Sequence, residues 1–309
     1  MKKLNTSSLK SKKRDILTDA LLITIAGISA AYFLGKAGVK TTVVERDSIG
    51  SHASGFAYGE LSPAVETAFY GTPVARLAKE GMSLHNELGQ SLFEETGINT
   101  EYRHRPSITL SFSRNEARLA KDLVSNSARQ VEQAPRWLDI EEALVLEPRI
   151  SHRALGAVYT EGGADLEPYR LILALARAAE ALGTTIGHGQ VTGLKREGGR
   201  VVGVKLEDEE IHCDRVVLAM GPWSGEASSW LKTSIRVSPL KGQILRLLAP
   251  GPPLNCSVDW AGNYATTKPD GLLWTGTTEE HVGFDEAPNP QGLDSIMGSL
   301  LNMIPSLGQ

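Results

Sequence analysis

Ile25-Ala-Gly-Ile-Ser-Ala-Ala-Tyr-Phe-Leu-Gly-Lys-Ala-Gly38, followed shortly by Thr41-Thr-Val-Val-Glu45, decides the fold. Ile28, Ala31, Leu34 and Gly38 recur at helical spacing, and Gly38 supplies the stop signal. Thr41–Glu45 is apolar until it ends on an acid, the pattern of a strand buried in a parallel sheet. Upstream, residues 16–23 are apolar enough for a first strand, although Thr18 and Asp19 interrupt it. The three pieces read together as a β-α-β unit. In the dinucleotide-binding version of that unit, an acid closing the second strand accepts hydrogen bonds from a ribose. Glu45 stands 18 residues after Gly27, near the ~20-residue offset that geometry needs. The alternative reading of Glu45 is a surface acid that begins a loop.

The glycine loop of the unit is altered. G-x-G-x-x-G provides a tight turn, room for a pyrophosphate, and close packing of helix on strand. With Gly27 as the third glycine, the first two positions hold Leu22 and Thr24. A side chain at the second position crowds the phosphates, and leucine at the first disfavours a positive φ. A β-α-β unit that no longer grips a dinucleotide therefore stays open at this point.

The rest of the composition is that of a globular protein. The chain has 309 residues, enough for about two domains, with 41% hydrophobic and 22% charged residues and a net charge of −4. This excludes a disordered, a collagen-like and a polytopic membrane chain. Six of the 32 basic residues fall within 1–14, which holds no acid, so the body of the chain is acidic. An acidic body argues against nucleic acid as a partner. The basic head precedes an apolar run, Ala20–Leu34, and the pair has the form of a signal segment. The expected location is cytoplasmic, with association to a membrane through residues 1–34 as the alternative. Cys213 and Cys256 make no C-x-x-C pair, and the seven histidines show no ligand spacing, so no metal site is expected.

Past Glu45 the sequence becomes more specific. Val43-Val-Glu-Arg-Asp-Ser-Ile-Gly-Ser-His-Ala-Ser-Gly-Phe-Ala-Tyr-Gly-Glu-Leu-Ser-Pro63 resembles the flavoprotein family of D-amino-acid, glycine and sarcosine oxidases. Four further stretches keep that family's order: Gly162–Leu171, Asp214–Ser224, Pro239–Gln243, and Asn263–Gly271 with Gly276–Glu279. The last is most similar to the glycine oxidase branch. The resemblance implies an α/β fold: a Rossmann-like FAD-binding domain interleaved with an α+β substrate domain on an antiparallel sheet. It implies FAD as cofactor, held by Gly27, Glu45, Arg46, Ala53, Ser54, Gly55, Val191, Gly221 and Trp223. It implies Tyr264 as a substrate contact and a small amine or amino acid as substrate, oxidised by hydride transfer to the flavin. No side-chain nucleophile is required, because the cofactor carries the redox chemistry. As isolated residues, Val191 reads as strand core and Trp223 as packing, Tyr264 equally as a half-buried strand tyrosine, and His52, beside the flavin loop, as an exposed loop histidine.

The expected division is a basic tail at 1–14, an FAD-binding domain over 15–70 and 150–232, and a substrate domain over 71–149 and 233–309. The chain stops at Pro305-Ser-Leu-Gly-Gln309, before the family's "G-x-R-P" segment, whose arginine pairs with the substrate carboxylate. An FAD-binding domain lacking its C-terminal part is therefore expected. A truncated, non-catalytic relative and a membrane-associated amino-acid dehydrogenase are the alternatives. Helices are expected over 74–97, 115–133, 140–146 and 167–182. Strands are expected over 156–160, 201–206, 235–248, 264–267 and 272–278.

Overall fold

The computed structural model describes residues 18–22, 25–62, 73–127 and 134–308. The basic tail and Thr24 lie outside the described residues. The chain divides into two compact units, residues 1–57, 88–100 and 167–239 in the first and 58–87, 101–166 and 240–309 in the second. These bounds differ from the sequence expectation at four segments: 58–70 falls in the second unit and 233–239 in the first, and two further stretches change unit. Residues 88–100 group with the first unit, where Glu95 accepts a hydrogen bond from the Tyr32 hydroxyl at 3.0 Å. Residues 150–166 group with the second, where Gly156–Thr160 pairs antiparallel with Ser107–Ser111.

In the first unit, strand β1 (Thr18–Leu22), helix α1 (Ile25–Lys36) and strand β2 (Lys40–Glu45) form the expected β-α-β unit. The sheet runs Arg215–Val217, β1, β2, Thr185–His188, and all three pairings are parallel. Parallel strands are buried on both faces, and Val43 and Val44 are accordingly almost fully buried. Helix α1 turns Gly27, Ile28, Ala31, Tyr32 and Gly35 inward. A Cβ on Gly35 would stand 3.0 Å from that of Leu182, so a small residue lets the two helices approach. Gly38 ends α1 at φ +79°. The helix Pro168–Ala181 starts on Glu167, whose carboxylate accepts from the Arg170 amide at 2.8 Å. Two buried hydroxyls, Thr41 and Thr184, hydrogen-bond at 2.7 Å. A three-stranded antiparallel sheet, Val191–Glu197, Arg200–Leu206 and Glu210–His212, follows.

The second unit rests on a seven-stranded sheet. Its order is Ile244–Leu247, Leu273–Gly276, Asn263–Thr267, Ser257–Trp260, Ser107–Ser111, Gly156–Thr160, Arg136–Leu138. All neighbours are antiparallel except Ser257–Trp260 with Ser107–Ser111. Side chains alternate between faces along each strand. One face carries Ile108, Leu110, Val258, Ala265 and Leu273, which pack with Leu300, Met303 and Ile304 at the end of the helix Pro290–Met303. Burying such side chains contributes about 1.5–3 kcal/mol each. The other face carries Ser107, Ser257, Tyr264, Thr266 and Trp274, also buried.

Several expected elements differ from those observed. The strand expected over 235–248 shrinks to Ile244–Leu247, because Pro239 has no N–H to give a ladder. The strand expected over 216–219, before Gly221, is observed as Arg215–Val217. The helix expected over 115–133 is described as Arg114–Ser127, and residues 128–133 lie outside the described residues. Ser107–Ser111, Arg136–Leu138 and Ser257–Trp260 were not read as strands. Among the described residues, no helix is long and apolar enough to cross a membrane.

Candidate cofactor and substrate sites

The carboxyl ends of the four parallel strands open on one cavity of about 310 Å³. Open α/β sheets place ligands at this end. The lining comes from the residues that follow each strand: Ile25 after β1, Glu45 to Ser54 after β2, Gly189 to Val191 after Thr185–His188, and Met220 to Trp223 after Arg215–Val217. Of the nine cofactor residues expected from the sequence, Glu45, Arg46, Ala53, Ser54, Val191, Gly221 and Trp223 line it. Gly27 and Gly55 do not. Gly27 is buried in α1. Gly55 closes the loop from below, since a Cβ there would fall 1.9 Å from the Gly50 carbonyl oxygen.

Each lining side chain has a local reason for its position. Glu45 ends β2 half-buried, and its Oε1 accepts from the Asp47 amide at 2.9 Å. Burial pushes its carboxyl above the usual range, against the hydrogen bonds from the Asp47 and Arg46 amides. The Arg46 guanidinium sits 4.3 Å from the centroid of the Trp223 ring and donates from Nε to Asp47 at 2.9 Å. His52 is the fourth member of the cluster. Its Nε2 lies 2.7 Å from the same Asp47 oxygen, and its ring meets Trp223 edge-on at 5.0 Å. The hydrogen bonds from His52 and Arg46 hold Asp47 below the usual carboxylate range. His52 is thus a half-buried, bonded residue and not the exposed loop histidine expected. Ser54 reaches back to α1, where its hydroxyl accepts from the Ile25 amide at 3.3 Å. This satisfies one of the orphan donors at the start of that helix. Gly221 takes φ +53°, a conformation that favours glycine.

These residues fit a dinucleotide. The cavity offers a half-buried acid at the ribose position, loop main chain at Gly50–Ser54 and Gly189–Gln190, and the rings of Trp223 and Trp230. Sequence reading missed Gln190, Met220 and Trp230; adjacency to Val191 and Gly221 was the available signal for the first two.

Tyr264 belongs to the second unit. It is 8% exposed, and its hydroxyl has no hydrogen-bond partner among the described residues. Its ring stacks on Tyr58 with centroids 3.7 Å apart and planes 11° from parallel. Burial raises the hydroxyl above its usual range. Beside this pair, Asp165 receives Arg103 through two bonds of 2.7 and 2.9 Å, and Lys268 Nζ lies 3.7 Å away. Tyr58, Asp165 and Trp274 were not read as site residues, because nothing in their spacing marks them. Among the described residues, no group of three or more His, Cys, Asp or Glu side chains is placed to hold a metal.

A family model described as FAD dependent oxidoreductase (DAO) matches residues 25–309. The chain belongs to this family. The DAO fold explains why one β-α-β unit and one large, mainly antiparallel sheet share a chain whose segments alternate between them. The glycine oxidase of Pseudomonas aeruginosa is 32% identical over 285 residues, which cover 92% of this chain and 76% of that one. That of Pseudomonas putida is 30% identical, with the same coverage. Among solved structures, glycine oxidase from Geobacillus kaustophilus superposes with a TM-score of 0.88 at 25% identity, covering 94% of this chain and 79% of that one. Iminodiacetate oxidase from Chelativorans shares the fold, with a TM-score of 0.82 at 23% identity and coverage of 94% and 80%. The chain is an FAD-dependent oxidoreductase of the glycine oxidase type, and its mixed α/β architecture is that of the family.

Proposed function

We propose that the chain oxidises a small amine or amino acid of the glycine, sarcosine or D-amino-acid class, with Tyr264 contacting the substrate. The observation that carries this is the buried, unpartnered hydroxyl of Tyr264. An unmade hydrogen bond of this kind costs about 1–3 kcal/mol, and a substrate group would satisfy it. The similarity to glycine oxidases supports the same reading. The cofactor roles of the cavity residues belong to the proposal too. Glu45 would take the ribose, and the main chain of Ala53–Gly55 would lie along the flavin side. Arg46, held by Asp47, would fix Trp223 as a wall, with Val191 and Gly221 giving close main-chain approach and Gly27 the helix packing. FAD supplies the acceptor for the substrate's α-hydride; the substrate nitrogen loses a proton, and water then hydrolyses the free imine to a carbonyl compound and ammonia or an amine. Location in the cytoplasm is part of this reading.

Two measurements test it. The visible spectrum of the purified chain, before and after added FAD, should show about one flavin per chain, and Glu45→Gln should weaken retention about tenfold, or about 1.4 kcal/mol. Glycine, sarcosine and D-alanine are then mixed anaerobically with the loaded protein, and flavin bleaching is followed; Tyr264→Phe should slow bleaching. A colourless chain, or a flavin that none of these reduces and no other amine bleaches, sinks the proposal.

A further inference from the structure

Lys268 carries a charge yet is 3% exposed. It opens the turn between Asn263–Thr267 and Leu273–Gly276, where its amide donates to the Leu272 carbonyl and its carbonyl accepts from the Gly271 amide, at 2.9 Å each. Residues two and four apart on a strand share a face, so Lys268 continues the row of Tyr264 and Thr266. A buried ammonium is costly unless its donors are met. Nζ donates to the Leu166 carbonyl at 2.9 Å and lies 3.7 Å from Asp165, which two Arg103 nitrogens hold. These contacts would suffice for a purely structural lysine. Nζ also stands 4.9 Å from the centroid of the Tyr58 ring and 5.3 Å from that of Trp274, both within reach of a cation–π attraction.

Tyr58 is the ring on which Tyr264 stacks, with centroids 3.7 Å apart and planes 11° from parallel. Rings so close and so nearly parallel are not in their preferred arrangement, because their electron-rich faces repel; offset and edge-to-face pairs at ~4.5–7 Å are favoured. A cation beside one member attracts that ring's electron density and holds it in place. Tyr58 is thus fixed by Lys268, and by its hydroxyl 3.1 Å from Ser257 Oγ. Tyr264 has no polar hold of its own, since its hydroxyl lacks a partner among the described residues. The hydroxyl end abuts Gly276, where a Cβ would stand 3.0 Å away, and the ring face rests on Tyr58. Resting on the substrate contact assigned above to Tyr264, we infer that Lys268 is a positioning residue, which through Tyr58 sets the plane in which Tyr264 meets the substrate.

The charge of Lys268, more than its volume, carries this role. Lys268→Met keeps much of the side-chain volume and leaves Asp165 paired with Arg103. Replacing a buried ion by an apolar side chain of similar volume is often neutral for stability. A Lys268→Met chain should therefore fold, while its Tyr58–Tyr264 pair slides toward the offset arrangement. A structural lysine predicts the reverse: a weakened fold with the ring pair as it was.

The test is fluorine magnetic resonance of the full chain with added FAD, its tyrosines labelled as meta-fluorotyrosine. Tyr58→Phe and Tyr264→Phe assign the two signals. In Lys268→Met both should move while the other tyrosine signals hold. In a Tyr58→Leu chain, adding Lys268→Met should leave the Tyr264 signal in place, because the link is already cut. An unmoved Tyr264 signal in Lys268→Met overturns the inference, as does a shift of all tyrosines together or a further Tyr264 shift in the Tyr58→Leu chain. Anaerobic bleaching with whichever of glycine, sarcosine and D-alanine reduces the flavin gives the functional readout. Lys268→Met should raise the half-maximal substrate concentration about fivefold, with a smaller fall in maximal rate. An unchanged half-maximal concentration overturns the positioning role. If Lys268→Met does not fold, isotope-labelled lysine in the otherwise unaltered chain decides: the Lys268 methylene signals should be ring-shifted, and Tyr58→Leu should remove that shift and move Tyr264. Unshifted methylenes overturn the inference. If no amine bleaches the flavin while the two tyrosine signals respond as expected, the oxidase reading fails and the hold of Lys268 on the ring pair stands.

Discussion

The first unit builds its cavity from strand ends, and the second builds its polar surface from a sheet face. The distinction has chemical content. At strand ends the chain turns, and the cavity there is lined by small loop residues, Gly50, Ser51, Ala53, Ser54 and Gly189, whose main chain lies close to it. Main-chain sites tolerate different side chains but not added volume. On the sheet face, Ser257, Asp259, Tyr264, Thr266 and Trp274 project from fixed register positions. Such a site tolerates little change in side-chain chemistry, because buried polar pairs such as Ser257 and Thr266 depend on each other.

The largest expected effect lies in the second unit. Asp165→Asn removes the charge that two Arg103 nitrogens and Lys268 approach. Asp165 and Lys268 are each 2% exposed at the side chain, so the cost should be about 3–5 kcal/mol, measured by urea unfolding of the full chain. A loss under 1 kcal/mol would show that the second unit absorbs chemical change after all. In the first unit the sensitive change is volume. Gly55→Val drives a side chain into the Gly50 carbonyl, and should cost about 3 kcal/mol and flavin retention together. Retained flavin in that variant would break the contrast. Thr41→Val strands the Thr184 hydroxyl, now bonded at 2.7 Å, for about 1–2 kcal/mol. Adding Thr184→Val should recover part of it, since an apolar pair leaves no orphan.

The smallest effect is a pH dependence. Glu280 accepts from Thr278 and Gln243 at 2.6 Å each and from Asn289 at 2.6 Å. These bonds, that from Thr278 first, pull its carboxyl down to about 2. A depressed acid stabilises the fold above the ordinary carboxylate range, and that contribution fades as pH falls toward about 2. Melting temperatures of the parent chain and Glu280→Gln should therefore converge in acid and separate near neutrality. Parallel curves at all pH values would count against the network.

Much of the first unit was legible in the sequence. A helix of 3.6-residue period, a glycine stop at Gly38 and an apolar strand ending on Glu45 each carry a local physical signal, and α1 and β2 formed within two residues of it. Glu45, Ser54 and Trp223 were reached through motif order, which also reflects local chain turns. The second unit was less legible. Ser257–Trp260 is four residues long with a central acid, and only its non-local pairing with Ser107–Ser111 and Asn263–Thr267 makes it a strand. The place of Asp259 opposite Tyr264 was invisible for that reason: it lies in register, which no single segment specifies. His52 was misread because its partners, Asp47 and Trp223, are 5 and 171 positions away.

The pairing of Asp19 with Arg215 has a consequence for biogenesis. During synthesis β1 leaves the ribosome early, yet its neighbour on one side is made some 196 residues later. Only β2 is available to it at first. The sheet edge that will receive Arg215–Val217 must wait for the 196 residues that separate the two strands, with a loop-closure cost that grows slowly with length and a folding rate limited by distant contacts. An unpaired parallel strand is a template for wrong partners. The chain's window of vulnerability to aggregation is therefore set by translation speed across residues 45–215, and slowing synthesis there should lower soluble yield.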